Sequence, residues 1–258
     1  MARTFIDLSI FLEQEVISDP PGMQPEITYI DHEQGIAGMV ASFPGLTREE
    51  LPDAEGWAVE RVKLSTHNGT HLDAPYHHHS TMNGGERAIT IDEVPLDWCY
   101  RPGVKLDFRE MPDGHIVTAE EMAAELDRIG HEIQPFDIVL VNTSAGAAYG
   151  QPDFLMKGCG IGREATLFLL EKGVRVTGTD AWSWDAPFAL TAQRWAEEKD
   201  PSIIWEGHRA SIDIGYCHME KLANLDQLPD NGFEVSCFPF KIKAASAGFT
   251  RAVAIFDD

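Results

Sequence analysis

Residues 67–79 read H-N-G-T-H-L-D-A-P-Y-H-H-H, which gathers five of the chain's ten histidines and one carboxylate into thirteen residues. Two neutral imidazoles and a carboxylate are a common ligand set for catalytic divalent cations, because they leave positions open for water and substrate. His67, His71 and Asp73 supply such a set. Bound to Zn2+, water falls from a pKa near about 15.7 to about 7, so such a centre provides hydroxide at neutral pH. A neighbouring histidine, with an unperturbed pKa of about 6.5, can accept and return a proton. His77 is the candidate for that task.

These side chains need a backbone that brings them together. Val62 and Leu64 alternate with Arg61, Lys63 and Ser65, which predicts a strand over residues 57–73 with one apolar face. Continued along the chain, the alternation puts His67, His71 and Asp73 on the polar face. Same-face neighbours rise about 6.6–6.8 Å, too far apart for one ion on a straight strand. Gly69 permits the necessary bend, and Pro75 ends the pairing so that His77 can return to the same place. His78 and His79 read as a solvated loop.

The remaining segments predict an α/β chain. Residues 4–12 read as a first strand and residues 104–108 as another. Thr118 and Glu121 form a capping box ahead of a helix whose apolar stripe is Met122, Leu126 and Ile129. Residues 137–143 (DIVLVNT) are a continuous apolar run, as expected of a strand covered on both faces. A helix over 162–172 stops at Gly173, and a strand over 174–179 follows, so βαβ units are expected. Residues 233–241 and 250–256 resemble two antiparallel strands joined by 244–248. Residues 18–55 have no clear period and read as a long excursion with short strand-like pieces such as 27–30. One domain spanning 1–258 with a mixed sheet is the economical reading.

Composition narrows the function. The chain has 258 residues, 43% of them hydrophobic, and a formal net charge of −22. Its Lys and Arg are scattered, so a nucleic-acid partner is not expected. No apolar run approaches membrane-spanning length, and the N-terminus lacks a signal-peptide pattern. Cys99, Cys159, Cys217 and Cys237 lie far apart, which suits free thiols in a reducing cytoplasm. Gly158–Gly162 lacks the spacing of a dinucleotide loop, and Asn142 breaks a G-x-S-x-G elbow, so those chemistries are set aside.

The stretch H67-N-G-T-H-L-D-A-P-Y-H77 resembles the H-x-G-T-H-x-D-x-P-x-H signature of the cyclase family of metal-dependent hydrolases, which includes kynurenine formamidases and isatin hydrolases. The resemblance implies an α/β fold with a barrel-like mixed sheet and outer helices (swivelling β/β/α), assembled as a homodimer or homotetramer. It also implies a second ligand pair, and His208 with Glu220, twelve residues on and followed by K-L-A-N-L, matches that pattern. Asp73 would then bridge one metal on His67 and His71 and another on His208 and Glu220, the ions being Zn2+ or Mn2+, one or two per subunit. Alternatives stay open at several positions. His208 also suits a buried structural role, and His218 is a rival ligand that shares a face with Glu220 only on a strand. Asp180, Ser183 and Asp185 are either partners that orient ligand imidazoles or turn residues, and Trp182 and Trp184 are either pocket walls or core. Residues 20–56 are where a substrate pocket could gain its own walls. The expected activity is hydrolysis of an amide-like C–N bond in a small molecule, such as an arylformamide or a cyclic amide or imide. A lactone hydrolase, a dehydratase or cyclase on the same centre, and a non-catalytic binding protein are the alternatives.

Overall fold

The computed structural model describes residues 2–257. Nine strands form its main sheet: β1 (Arg3–Asp7), β2 (His71–Asp73), β3 (Tyr100–Asp107), β4 (Ile138–Asn142), β5 (Val176–Thr179), β6 (Cys217–Glu220), β7 (Phe233–Ser236), β8 (Ala247–Phe249) and β9 (Val253–Asp257). Their order across the sheet is β1-β9-β7-β3-β4-β5-β6-β2-β8. Strands β3, β4, β5 and β6 run parallel, and the strands flanking them pair antiparallel. The sheet is therefore mixed, as expected, and curls into a half-barrel.

Six helices accompany it: α1 (Ile36–Ser42), α2 (Pro75–His78), α3 (Ala119–Ile129), α4 (Arg163–Glu171), α5 (Phe188–Glu198) and α6 (Glu206–Arg209). The capping box that opens α3 is formed, with Thr118 accepting from the Glu121 amide and Gly130 closing the helix at φ 64°. Helices α3 and α4 are the crossovers between parallel strands, and they bury Met122, Leu126, Ala165 and Leu169 against Val139 and Val141. The other face of β4 presents Ile138 and Leu140 to a second apolar layer with Leu72, Val176 and Met219. An apolar residue at every position but the last is what a strand buried on both faces requires.

Two expectations need correction. Residues 57–73 are not one strand. Val59–Lys63 pairs antiparallel with Glu26–Ile30 in a separate hairpin, and every residue of the former is exposed, Val62 included. With no sheet packed on either side, the Val62 alternation marks no core face. Residues 233–241 and 250–256 do pair, through β7 and β9, but not as a hairpin. Between them the chain crosses to the far edge of the sheet and lays down β8 against β2. The strand β7 also ends at Ser236, short of residue 241.

Candidate metal centre and active site

The site lies where β2 and β6 pair, His218 opposite Asp73 and Glu220 opposite His71. His71 and Asp73 share one face of β2, as residues two apart on a strand must. His67 reaches the site by another route than the expected strand alternation. It sits in a turn in which the Ser65 amide donates to Asn68 Oδ1 at 2.8 Å and the His67 amide donates to Ser65 Oγ at 3.2 Å. Gly69 follows at φ 62°, where a side chain would be strained, and the chain then enters β2. Pro75 occupies the first turn of α2, and this short helix returns His77 to within 3.9 Å of Asp73.

Asp73 is wholly buried at the middle of the cluster. Its Oδ1 is 2.9 Å from His67 Nδ1 and 3.3 Å from His71 Nε2; its Oδ2 is 3.9 Å from both His77 Nε2 and His208 Nε2. Glu220 Oε2 lies 3.6 Å from His71 Nε2, and Glu220 Oε1 lies 3.5 Å from His208 Nε2. The structure thus brings together all six positions singled out from the sequence: His67, His71, Asp73, His77, His208 and Glu220.

His78, expected in a solvated loop, is instead buried, because the turn of α2 that exposes His77 to the cleft drives the next ring inward against His208 and Tyr216. His79 is half-buried and bonds Thr81 through Nδ1. His218 lies on β6, so it does share a face with Glu220, and its Nε2 is 3.7 Å from Glu220 Oε1.

Buried polar atoms are nearly always hydrogen-bonded. Here His71 Nε2, both Asp73 oxygens, both His78 nitrogens, His208 Nε2 and His218 Nε2 are buried without a hydrogen-bond partner. Several ligand triads of these residues and Glu220 converge, each with its donor atoms within 4.8 Å of one another. The opposite nitrogens are occupied. His71 Nδ1 meets the Gly69 carbonyl at 3.0 Å, His208 Nδ1 meets Asp185 Oδ2 at 2.5 Å, and His218 Nδ1 meets Thr177 Oγ1 at 3.0 Å. Donation through Nδ1 leaves the Nε2 lone pair aimed at the centre, the arrangement in which histidine binds metal. The donor set fits a divalent cation.

Electrostatics agree. Burial disfavours charge on Asp73, yet the surrounding imidazoles, His77 and His71 foremost, hold its carboxyl well below the usual range. Burial also opposes charge on His208, but its contacts with Asp185, Asp73 and Glu220 prevail and raise its pKa. His77 is pushed down to about 4, chiefly by burial, so its ring is neutral at pH 7.

A cleft of about 180 Å3 opens over the cluster, with His67, His77 and Glu220 at its floor and Trp182, Phe188 and Trp205 as walls. Sharing Phe188 and Trp205, a larger apolar cavity of about 390 Å3 continues along α5 past Trp195 and Ile204. The larger space is apolar and the smaller one carries the chemistry. Trp182 is a cleft wall, whereas Trp184 is core, its indole donating to Thr166. Asp185 orients His208; Asp180 is buried and accepts from the Thr143 amide and hydroxyl; Ser183 lines the cleft.

Sequence reasoning missed Asp19, Lys221 and Trp205. Lys221, buried, donates to Asp19 Oδ1 at 2.5 Å and to the His67 carbonyl at 2.8 Å, tying the segment before Pro20 to the metal-site turn. The only signal was a lysine next to Glu220, which reads as surface until its burial is seen. Of the 20–56 region, Met23 reaches the cleft, its carbonyl held by Asn68.

A mixed α/β half-barrel whose buried face carries a carboxylate ringed by imidazoles defines a protein built around divalent metal. The comparisons with known proteins agree. Residues 6–186 match the family model described as putative cyclase, and the chain belongs to that family. It is 27% identical over 234 residues to a kynurenine formamidase of Salinibacter ruber, covering 87% of this chain and 95% of that protein. Among solved structures, isatin hydrolase A of Ralstonia solanacearum superimposes with a TM-score of 0.75 at 21% identity, covering 99% of this chain and 92% of that one. Isatin hydrolase A of Labrenzia aggregata gives 0.73 at 23% identity, with 99% and 94% covered. These two likenesses show the fold.

Proposed function

We propose that this protein is a metal-dependent hydrolase that cleaves an amide-like C–N bond in a small molecule, an arylformamide or a cyclic amide or imide. The observation that carries the reading is the set of buried, unpartnered donor atoms converging on Asp73 at the base of an aromatic cleft. Similarity to kynurenine formamidase along most of the chain supports the bond type.

His67, His71 and Asp73 would hold one cation, and Asp73, His208 and Glu220 a second, as zinc or manganese. When bound, such a cation polarises the scissile carbonyl and acidifies water beside it. His77 supplies the proton chemistry. Its ring faces the cleft, tilted by 37° against His67 at 4.0 Å between centroids and edge-on to Trp205 at 4.9 Å. Neutral at pH 7, it takes the proton from the attacking water; Asp73 stabilises the imidazolium, which returns the proton to the leaving nitrogen. Trp182, Phe188 and Trp205 exclude water and stack on a flat substrate.

No helix among the described residues is long and apolar enough to cross a membrane. A cytoplasmic site of action is supported by four free cysteines. A homodimer or homotetramer is supported by Tyr29, Phe43, Val59 and Val62, all exposed in or near the outlying hairpin.

Metal analysis of protein purified without added ions, followed by assays on N-formylkynurenine, isatin and simple cyclic imides and lactones, tests the reading. Wild type should hold metal and turn over at least one C–N substrate, and His77→Ala should lose about 10^2–10^4-fold in turnover while keeping its metal. A protein that binds metal but hydrolyses none of these is a binding homologue, and one that opens only lactones has another leaving group.

A further inference from the structure

We infer that the second cation site is nitrogen-rich, with His218 as a direct ligand and His78 closing the site beside His208 and Glu220. The inference rests on the metal-hydrolase reading but concerns two residues that this reading does not use. His218 and His78 are both buried. Each lies in one of the convergent triads, His208–His218–Glu220 and Asp73–His78–His208. Their rings pack edge-on to His208, with centroids 5.5 Å and 5.0 Å away.

His218 has the geometry of a ligand and not of a core residue. Thr177 fixes its Nδ1 at 3.0 Å, while Nε2 is buried without a hydrogen-bond partner and faces Glu220. A buried histidine serving only as core is expected to have both ring nitrogens hydrogen-bonded. Thr177 plays for His218 the part that Asp185 plays for His208: it holds the tautomer that leaves Nε2 as the lone-pair donor. His78 has no partner for either nitrogen, so one of them is available to a cation or to water.

The chemical consequence is selectivity. A site with Asp73 and Glu220 and one imidazole is open to magnesium, calcium or manganese, whereas three imidazoles shift preference to zinc, cobalt or nickel. The two sites would then differ in the metal they retain.

The test is metal stoichiometry and affinity, measured on chelator-stripped protein reloaded with Zn2+ or Co2+ and desalted. Wild type should hold two equivalents. His218→Gln should keep one tightly and bind the other more than about 100-fold more weakly, beyond the about 10–100-fold that losing an outer partner costs. His78→Phe should weaken the same equivalent, and His71→Ala the other one. Circular dichroism of the metal-free variants checks that they fold. X-ray absorption on di-zinc wild type gives a readout free of mutation: five imidazoles shared between two ions (His67, His71, His78, His208 and His218), against three if His78 and His218 stand aside. Folded His218→Gln and His78→Phe proteins with two equivalents at unchanged affinity, or an absorption count of three, would overturn the inference and leave the hydrolase reading standing. Wild type without affinity for any divalent cation would sink both.

Discussion

Replacing Lys221 by Met should destabilise the metal-free protein by about 3 kcal/mol, the lower end of what breaking a buried ion pair costs. The lower end follows from the surroundings. Asp19 loses its 2.5 Å partner, yet keeps the Ser18 hydroxyl at 2.9 Å and a long contact to the Trp182 indole at 3.4 Å. The His67 carbonyl also loses its 2.8 Å donor. For a chain of this size, about 3 kcal/mol corresponds to a fall in Tm of about 6–12 °C. The double variant Asp19→Asn/Lys221→Met removes both charges and should recover part of the loss, because position 19 no longer carries a carboxylate stripped of its cation. Thermal unfolding in excess chelator, on wild type, both single variants and the double, gives the coupling energy directly. The pH sign is fixed as well. Burial raises the Asp19 pKa, but Lys221 outweighs it and the folded value is lowered. The pair's stabilisation is therefore present above the unfolded carboxyl pKa of about 3.9 and is lost as pH falls through the folded value. A Lys221→Met protein within 1 kcal/mol of wild type (about one-third of the predicted loss), or a double variant no more stable than the single, would refute this reasoning.

Asp185→Asn should weaken metal binding by about 10–100-fold, because the amide cannot hold His208 as the carboxylate does while also serving the Gly207 amide; competition against a chelator measures it. Asp180 sets a pH dependence of opposite sense. Burial raises its carboxyl to about 7 against the donors from Thr143, so between about pH 4 and 7 the unfolded chain has released a proton that the native state keeps. Stability should decline as pH rises through that window, and Asp180→Asn should flatten the decline in melting curves recorded from pH 4 to 8.

The centre of this site was legible because its ligands are local: His71 and Asp73 are two apart on one strand, and Pro75 begins a single turn that swings His77 back. The route to His67 was not, since the strand expected to carry it belongs to a detached hairpin, and only the Ser65–Asn68 turn with Gly69 restores the ring to the cluster. His208 and Glu220 were found by their resemblance to a known pattern; nothing local to α6 or β6 announces that β6 pairs with β2. His78 illustrates the limit of local reading. Three adjacent histidines look solvated in sequence, but a one-turn helix points them in different directions, and burial is decided by Tyr216 and His208, well over a hundred residues away. Asp19 and Lys221 were invisible for the same reason. The crossover helices and β4 carried their own periodicity and were read directly.

The most direct measurement is anomalous X-ray scattering from crystals grown with zinc and recorded on both sides of the metal edge. The account predicts a peak about 2.0–2.2 Å from His71 Nε2 and an Asp73 oxygen, within the ring formed with His67, His208 and Glu220. Zinc found only on surface carboxylates, with those buried imidazoles hydrogen-bonded to ordered water instead, would contradict it.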